Sequence, residues 1–298
     1  MKIFVIDLDG TLLNSNHEIS EPNALAIKNR QVNGDRIIIA TGRALFDAKY
    51  LLNKYEIKDC SIIASNGAEI EYSKQIKQTQ DRQSISFQTS QKIFKYLSEK
   101  NVYVQVYLKD KILLQQGSEE RLLKQAFTQK NIDSTFEYQT FETSINAQLS
   151  QFGVVTVEQI SLQDLTDVIK FMILSPDTQM LEYIKNNFQS YDSCEVSSSG
   201  HYNIEVMLSG TSKGRALQTL IAAQGMNMED TVAIGDNQND LSLFQVAKFG
   251  IAMSNAESSI KRIATYETLH HDEDGVANAL NDFPRRLSQM KSSQINDL

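Results

Sequence analysis

Cysteine, long apolar runs and clustered positive charge are all scarce in this chain, and each scarcity removes a class of protein. Only Cys60 and Cys194 occur among 298 residues, far apart and without metal-type spacing, so two reduced thiols in a cytoplasmic protein are expected. The N-terminal apolar run stops at Asp7 after Ile6, too short for a signal peptide or a membrane span, and no later run approaches spanning length. The 29 basic and 37 acidic side chains give a net charge of −8, with no dense Lys/Arg cluster. Nucleic acid and anionic membrane are therefore poor partners, and no protein partner is evident. A small anionic substrate stays open, because a bound cation and a few aimed donors decide that locally. His17, His201, His270 and His271 are scattered and read as surface or loop residues, so no His/Cys cluster offers itself to a softer metal.

What is present is a strand and helix rhythm. Ile3 to Ile6 is apolar throughout, as for a strand covered on both faces, and ends at Asp7-Leu8-Asp9-Gly10-Thr11. Ser20 is a suitable N-cap for a helix with Pro22 in its first turn, Leu25 and Ile27 as apolar positions, and Gly34 as its stop. Arg36 to Ala40 and Ser61 to Ala64 supply two further buried strands, with a helix from about Ala44 to Tyr55 between them. Such alternation predicts right-handed βαβ units in a parallel sheet. A hairpin over Glu69 to Gln80, turning near Ser73-Lys74, follows.

From about residue 82 the pattern changes. Thr89 to Lys100 is helical by spacing, Val102 to Tyr107 alternates with period two, and Lys111 to Leu114 pairs back, which predicts a half-exposed antiparallel sheet. Asp133 to Val157 has no clear assignment. The Gln-rich composition reads as solvated surface without clear chemistry. Parallel-sheet rhythm resumes near residue 208, with a helix from Ser212 to about Gln224, a strand Thr231 to Ile234, and a last short strand near Thr268-Leu269. The fold class expected is α/β: a Rossmann-like core over 1–81 and 208–298, with an α+β cap domain inserted over 82–207.

Asp7, Thr41 and Asp236 each follow a predicted parallel strand, where open α/β sheets form their ligand crevice. Any one alone is as readily a turn or cap residue; the conjunction is what points to a site. Hard carboxylate ligands suit Mg²⁺, which favours a few carboxylates plus substrate phosphate and water. Lys213 follows the N-cap Ser212 in a helix's first turn, where a cation is unfavourable unless an anion joins it, so the position reads as an anion pocket. An exposed lysine turned to solvent is the plain alternative.

Asp7-Leu8-Asp9-Gly10-Thr11, Thr41-Gly42-Arg43, Ser65-Asn66-Gly67-Ala68, Ser212-Lys213-Gly214 and Gly235-Asp236-Asn237-Gln238-Asn239-Asp240 resemble the ordered motifs of the haloacid dehalogenase superfamily, Cof-type, subfamily IIB. The resemblance covers the whole chain, including Asp274-Gly275-Val276-Ala277. It implies a phosphatase acting on a small phosphorylated metabolite, with Asp7 as nucleophile forming an aspartyl-phosphate and Asp9 as acid and base. It implies Mg²⁺ held by Asp7, the Asp9 carbonyl and Asp236, with Asp240 behind them. Thr41, the amides near Leu8 and Gly42, Asn239 and Lys213 would hold the phosphoryl oxygens. A phosphomutase of the same superfamily and a non-catalytic phosphate sensor are the alternatives; the intact second carboxylate Asp9 speaks against a pure binder. Asn203 and Glu205 are candidates to face substrate, with ordinary sheet-surface residues the simpler expectation.

Overall fold

A computed structural model describes residues 1–73 and 80–296. In chain order the first elements are β1 (Ile3–Ile6), α1 (Glu21–Val32), β2 (Arg36–Ala40), α2 (Leu45–Lys54), β3 (Ser61–Ala64), β4 (Glu69–Glu71) and β5 (Gln80–Arg82). Next come α3 (Phe87–Glu99), β6 (Tyr103–Tyr107), β7 (Ile112–Gln115), α4 (Ser118–Ile132), α5 (Tyr138–Leu149), β8 (Val154–Val157), β9 (Lys170–Leu174), α6 (Thr178–Gln189), β10 (Cys194–Ser197) and β11 (Asn203–Leu208). The chain closes with α7 (Lys213–Ala223), β12 (Thr231–Gly235), α8 (Leu241–Val246), β13 (Phe249–Ala252), α9 (Ser258–Ile263), β14 (Tyr266–Glu267) and α10 (Gly275–Asn296).

Two sheets organise these elements. The first has the order β14-β13-β12-β1-β2-β3-β4-β5, parallel from β14 to β3 and antiparallel at the β4 and β5 edge. β1 lies between β12 and β2, and all four of its side chains are fully buried, which its unbroken apolar sequence requires. Full burial of a side chain such as Phe4 contributes about 1.5–3 kcal/mol. The second sheet, β10-β11-β9-β6-β7-β8, is antiparallel except where β7 meets β8. The architecture is α/β with a parallel Rossmann-like sheet and a separate α+β sheet built from the middle of the chain.

Several expectations need correction. Leu25 is 55% exposed, and α1 instead buries Asn23, Ala24, Ala26 and Ile27. The alternation along β6 does not mean a solvated face: Val104 and Val106 pack into one apolar cluster, while Tyr103 and Tyr107 pack on the opposite side with residues of α4 and α5. Gln105, between those tyrosines, is wholly buried and donates from Nε2 to the Tyr103 hydroxyl at 3.1 Å. Polarity there marks an internal hydrogen-bonded layer. The unassigned stretch from Asp133 to Val157 contains α5 and β8, and the last strand falls at Tyr266–Glu267, short of Thr268-Leu269. The hairpin forms as β4 and β5, in register Glu71 to Gln80, and the turn expected near Ser73-Lys74 runs outside the described residues. No helix among the described residues is long and apolar enough to cross a membrane.

Candidate active site

The carboxyl ends of β1, β2, β3 and β12 meet where the strand order reverses, so the loops after them converge on one crevice. Asp7, the first residue beyond β1, is buried, and its Oδ1 accepts from Lys213 Nζ at 2.6 Å. The same ammonium donates to Asp240 Oδ1 at 2.7 Å. Lys213 is fully buried in the first turn of α7, so the solvent-exposed alternative is excluded, and two of the protein's own carboxylates supply the anions its place demands. Burial works against its charge, but Asp240 and Asp7 hold it protonated.

Carboxylate oxygens of Asp7, Asp236 and Asp240 all lie within 4.8 Å of one another. Burial and then the Asp240 charge push Asp7 well above the ordinary carboxyl range, against the pull of Lys213. The same two causes push Asp236 up to about 7. Three buried carboxylates facing one lysine is an arrangement short of positive charge. Asp240 is already engaged, since its second oxygen accepts from the Asp236 and Asn237 amides at 3.0 and 3.2 Å. Asp236 Oδ1 accepts from the Thr11 hydroxyl at 2.9 Å, and its Oδ2 occupies the space a side chain on Gly10 would need, 2.4 Å from an ideal Cβ. Asp7 and Asp236 therefore keep oxygen donors for a cation while Asp240 orients them, and an all-oxygen donor set fits a hard divalent ion.

Asp9 follows a different electrostatic course. Its side chain is 47% exposed, and against the desolvation of the crowded cleft Arg43 grips both oxygens, Nε to Oδ2 and Nη2 to Oδ1, each at 2.8 Å, holding the carboxyl below its usual range. Asp9 and Arg43 line the cleft together with Asp7, His17, Gly42 and Asn239. His17, read as a plain loop histidine, thus sits at the cleft. Thr41 does not line it: the residue is fully buried beneath, with Oγ1 accepting from the Arg43 amide at 3.1 Å. Leu8 turns its side chain into the core. Asn239 donates from Nδ2 to Asn66 Oδ1 at 3.2 Å, and its own Oδ1 is buried without a partner.

The second sheet closes this crevice from above. Lys170, on β9, donates to the Gly42 carbonyl at 2.5 Å and to Glu205 Oε1 at 2.7 Å, with its ammonium 4.2 Å from the Tyr107 ring centre. Glu205, on β11, also accepts from Asn66 Nδ2. Glu205 and Asn203 both line the cleft, so the sheet-surface expectation is wrong for Glu205, which is buried and paired. Asn203 spends its amide on the adjacent turn, accepting from the Ser199 N–H at 3.0 Å. Gln148 and Gln151 of the α5 end line the same cleft, against the solvated-surface reading, and Gln151 accepts from the Tyr107 hydroxyl at 3.0 Å. Sequence reasoning missed Arg43, Asn66, Lys170 and these glutamines. Arg43 and Asn66 stood inside quoted motifs, whereas Lys170, Gln148 and Gln151 had no local signal.

An α/β sheet whose central strand ends in a buried carboxylate, beside a buried lysine and a second strand-end aspartate, forms a crevice covered by the second sheet. The chain belongs to the haloacid dehalogenase-like hydrolase family, whose family model matches residues 4–280, and it is a phosphatase of that family, as its full-length relatives are. It is 34% identical over 279 residues to 5-amino-6-(5-phospho-D-ribitylamino)uracil phosphatase YwtE of Bacillus subtilis, covering 93% of this chain and 96% of that protein. Identity to phosphatase YwpJ of the same organism is 30% over 284 residues, covering 94% and 99%. Among solved structures, a haloacid dehalogenase-like hydrolase from B. subtilis superposes with a TM-score of 0.80 at 30% identity, covering 94% of this chain and 99% of that one.

Proposed function

We propose that this phosphatase hydrolyses a small phosphorylated metabolite with an uncharged polar leaving group, through an aspartyl-phosphate on Asp7 and with Mg²⁺ as cofactor. The observation that carries the reading is the buried set of Asp7, Lys213, Asp236 and Asp240 at the end of β1. Asp7 Oδ would form a bond to phosphorus as the bond to the leaving oxygen breaks; the Asp9 carboxyl, ionised on Arg43 before substrate binds and protonated once the substrate's phosphate charge lies beside it, would pass its proton to that oxygen. Asp9, now a carboxylate, would take a proton from water as the water oxygen bonds to phosphorus and releases Asp7. Lys213 would hold Asp7 in place and offset phosphoryl charge; Asn239 and the amides near Leu8 and Gly42 would receive the phosphoryl oxygens, with Thr41 fixing the loop beneath. Mg²⁺, held by Asp7, Asp236 and the Asp9 carbonyl, would supply charge neutralisation at phosphorus.

We assign the core to 1–81 and 208–298 and the cap to 82–207, and we place the enzyme in the cytoplasm, consistent with its unpaired Cys60 and Cys194. The leaving-group side of the cleft supports the substrate class. Its cations, Arg43 and Lys170, already carry carboxylate partners, and the cap offers Ser144, Gln148, Gln151, Tyr202 and Asn203. Amides and hydroxyls suit a leaving group of hydroxyls and amides better than a second phosphate. YwtE is named for a substrate whose leaving group is of that kind. The test is a panel of phosphomonoesters with Mg²⁺. Phosphorylated polyols and their heterocyclic derivatives are expected to be turned over at least about tenfold faster than bisphosphates or phosphorylated acids, with reversible arrest by EDTA. Preference for a second anionic group would overturn the substrate class, and activity indifferent to chelation would overturn the metal.

A further inference from the structure

Asp47 joins the cap to Arg43, and the sequence gives no hint of it. The residue lies in the first turn of α2 and is 2% exposed. Its Oδ2 accepts from Arg43 Nη1 at 3.0 Å. Its Oδ1 accepts from the backbone amide of Phe152, in the loop between α5 and β8, at 2.8 Å. Aromatic packing secures that loop to α2: Phe152 stacks on Tyr50 with ring centres 4.6 Å apart, and meets Phe46 edge-on at 6.5 Å. An unbroken path therefore runs from a backbone N–H of the inserted sheet, through Asp47 and Arg43, to both oxygens of Asp9.

Each nitrogen of the Arg43 guanidinium is used in this path. Nε and Nη2 form the fork on Asp9, and Nη1 is tied on the other side to Asp47. A planar group held at both ends has its rotation fixed, so the position of the Asp9 carboxyl is fixed with it. With the cap raised, Asp47 would lose the Phe152 donor and Arg43 would lose a rigid anchor. We infer that Asp47 is a positioning residue that couples seating of the cap to alignment of Asp9 for proton transfer to the leaving oxygen. The inference rests on the proposed acid role of Asp9 and adds a residue outside the cleft lining to it.

The consequence is dependence on the leaving group. p-Nitrophenolate departs without a proton, whereas an alkoxide needs one, so misalignment of Asp9 slows alkyl phosphates selectively. Asp47→Asn places an amide N–H where either Arg43 or Phe152 needs an acceptor, so one link breaks. Its kcat on the best alkyl phosphate is expected to fall about tenfold or more beyond any fall on p-nitrophenyl phosphate, with KM changed less than kcat. Phe152→Ala, which keeps the amide and removes the aromatic anchor, is expected to show the same selective loss more weakly, and serves if the first variant does not fold. Equal losses on the two substrates would reduce Asp47 to a packing role and overturn the inference. Asp9→Asn separates the two claims. Selective alkyl loss there without it in Asp47→Asn rejects the coupling alone, and no selectivity in Asp9→Asn rejects the acid role and the coupling together.

Discussion

Asp7, Asp236 and Asp240 are each a poor choice for a buried position; Lys213 compensates part of their clustered charge, and on the proposed function a divalent cation would supply the rest. Lys213 is committed to Asp7 and Asp240, which leaves Asp236 with the Thr11 hydroxyl and the amount of positive charge a cation would add. Stripped of metal, the protein is expected to melt lower than with Mg²⁺; saturation at about a hundredfold excess over Kd corresponds to roughly 2.7 kcal/mol. Asp236→Asn should abolish most of that shift, and calorimetry showing an unchanged shift would remove Asp236 from the metal site. Asp7 and Asp236 were legible in the sequence because each directly follows a short apolar strand, and Asp240 through the motif that carries Asp236. Arg43, Asp47 and Lys170 were not, since their meaning lies in partners such as Asp9 and Glu205, tens of residues away and joined only by folding.

Among elements, α7 does most to place the site. Ser212 caps it by accepting from the Arg215 amide at 3.2 Å, and this first turn delivers Lys213 to the end of β1. Gly214 allows that approach: an ideal Cβ there would lie 2.1 Å from the Ser242 carbonyl oxygen of α8, a backbone atom with little freedom to yield. Gly214→Ala is expected to cost about 1–3 kcal/mol by overpacking and to lower kcat by displacing Lys213. Urea unfolding and steady-state rates check both, and wild-type values in each would refute this role for the helix contact. Strand and helix existence was readable from periodicity and caps. What misled was polarity: the alternation in β6 looked solvated but places Gln105 in an internal hydrogen-bonded layer beside packed tyrosines, and the glutamines near the end of α5 line the cleft. A sequence pattern reports polarity, and polarity does not distinguish water from a substrate pocket.

Across the molecule, directed polar contacts join the two sheets, beside the aromatic packing of Phe152 on Tyr50 and Phe46. Lys170 to the Gly42 carbonyl, Glu205 to Asn66, Asn237 Nδ2 to the Ser199 carbonyl at 3.0 Å, and Asp47 to the Phe152 amide all join them. Polar contacts of this kind can exchange with water when a cap lifts, so they suit a roof that opens for substrate and closes for chemistry. The division of the chain into two rhythms was readable, but how the middle segment seats on the core was not, because these pairs have no sequence spacing. On the proposed mechanism Asp7 attacks phosphorus beneath this roof. Acid-quenching the enzyme during turnover of a phosphomonoester and sequencing its peptides by mass spectrometry tests it most directly. A phosphoryl group on Asp7 in the wild type, absent in Asp7→Asn along with turnover, is the predicted result; a turning-over Asp7→Asn enzyme would contradict it.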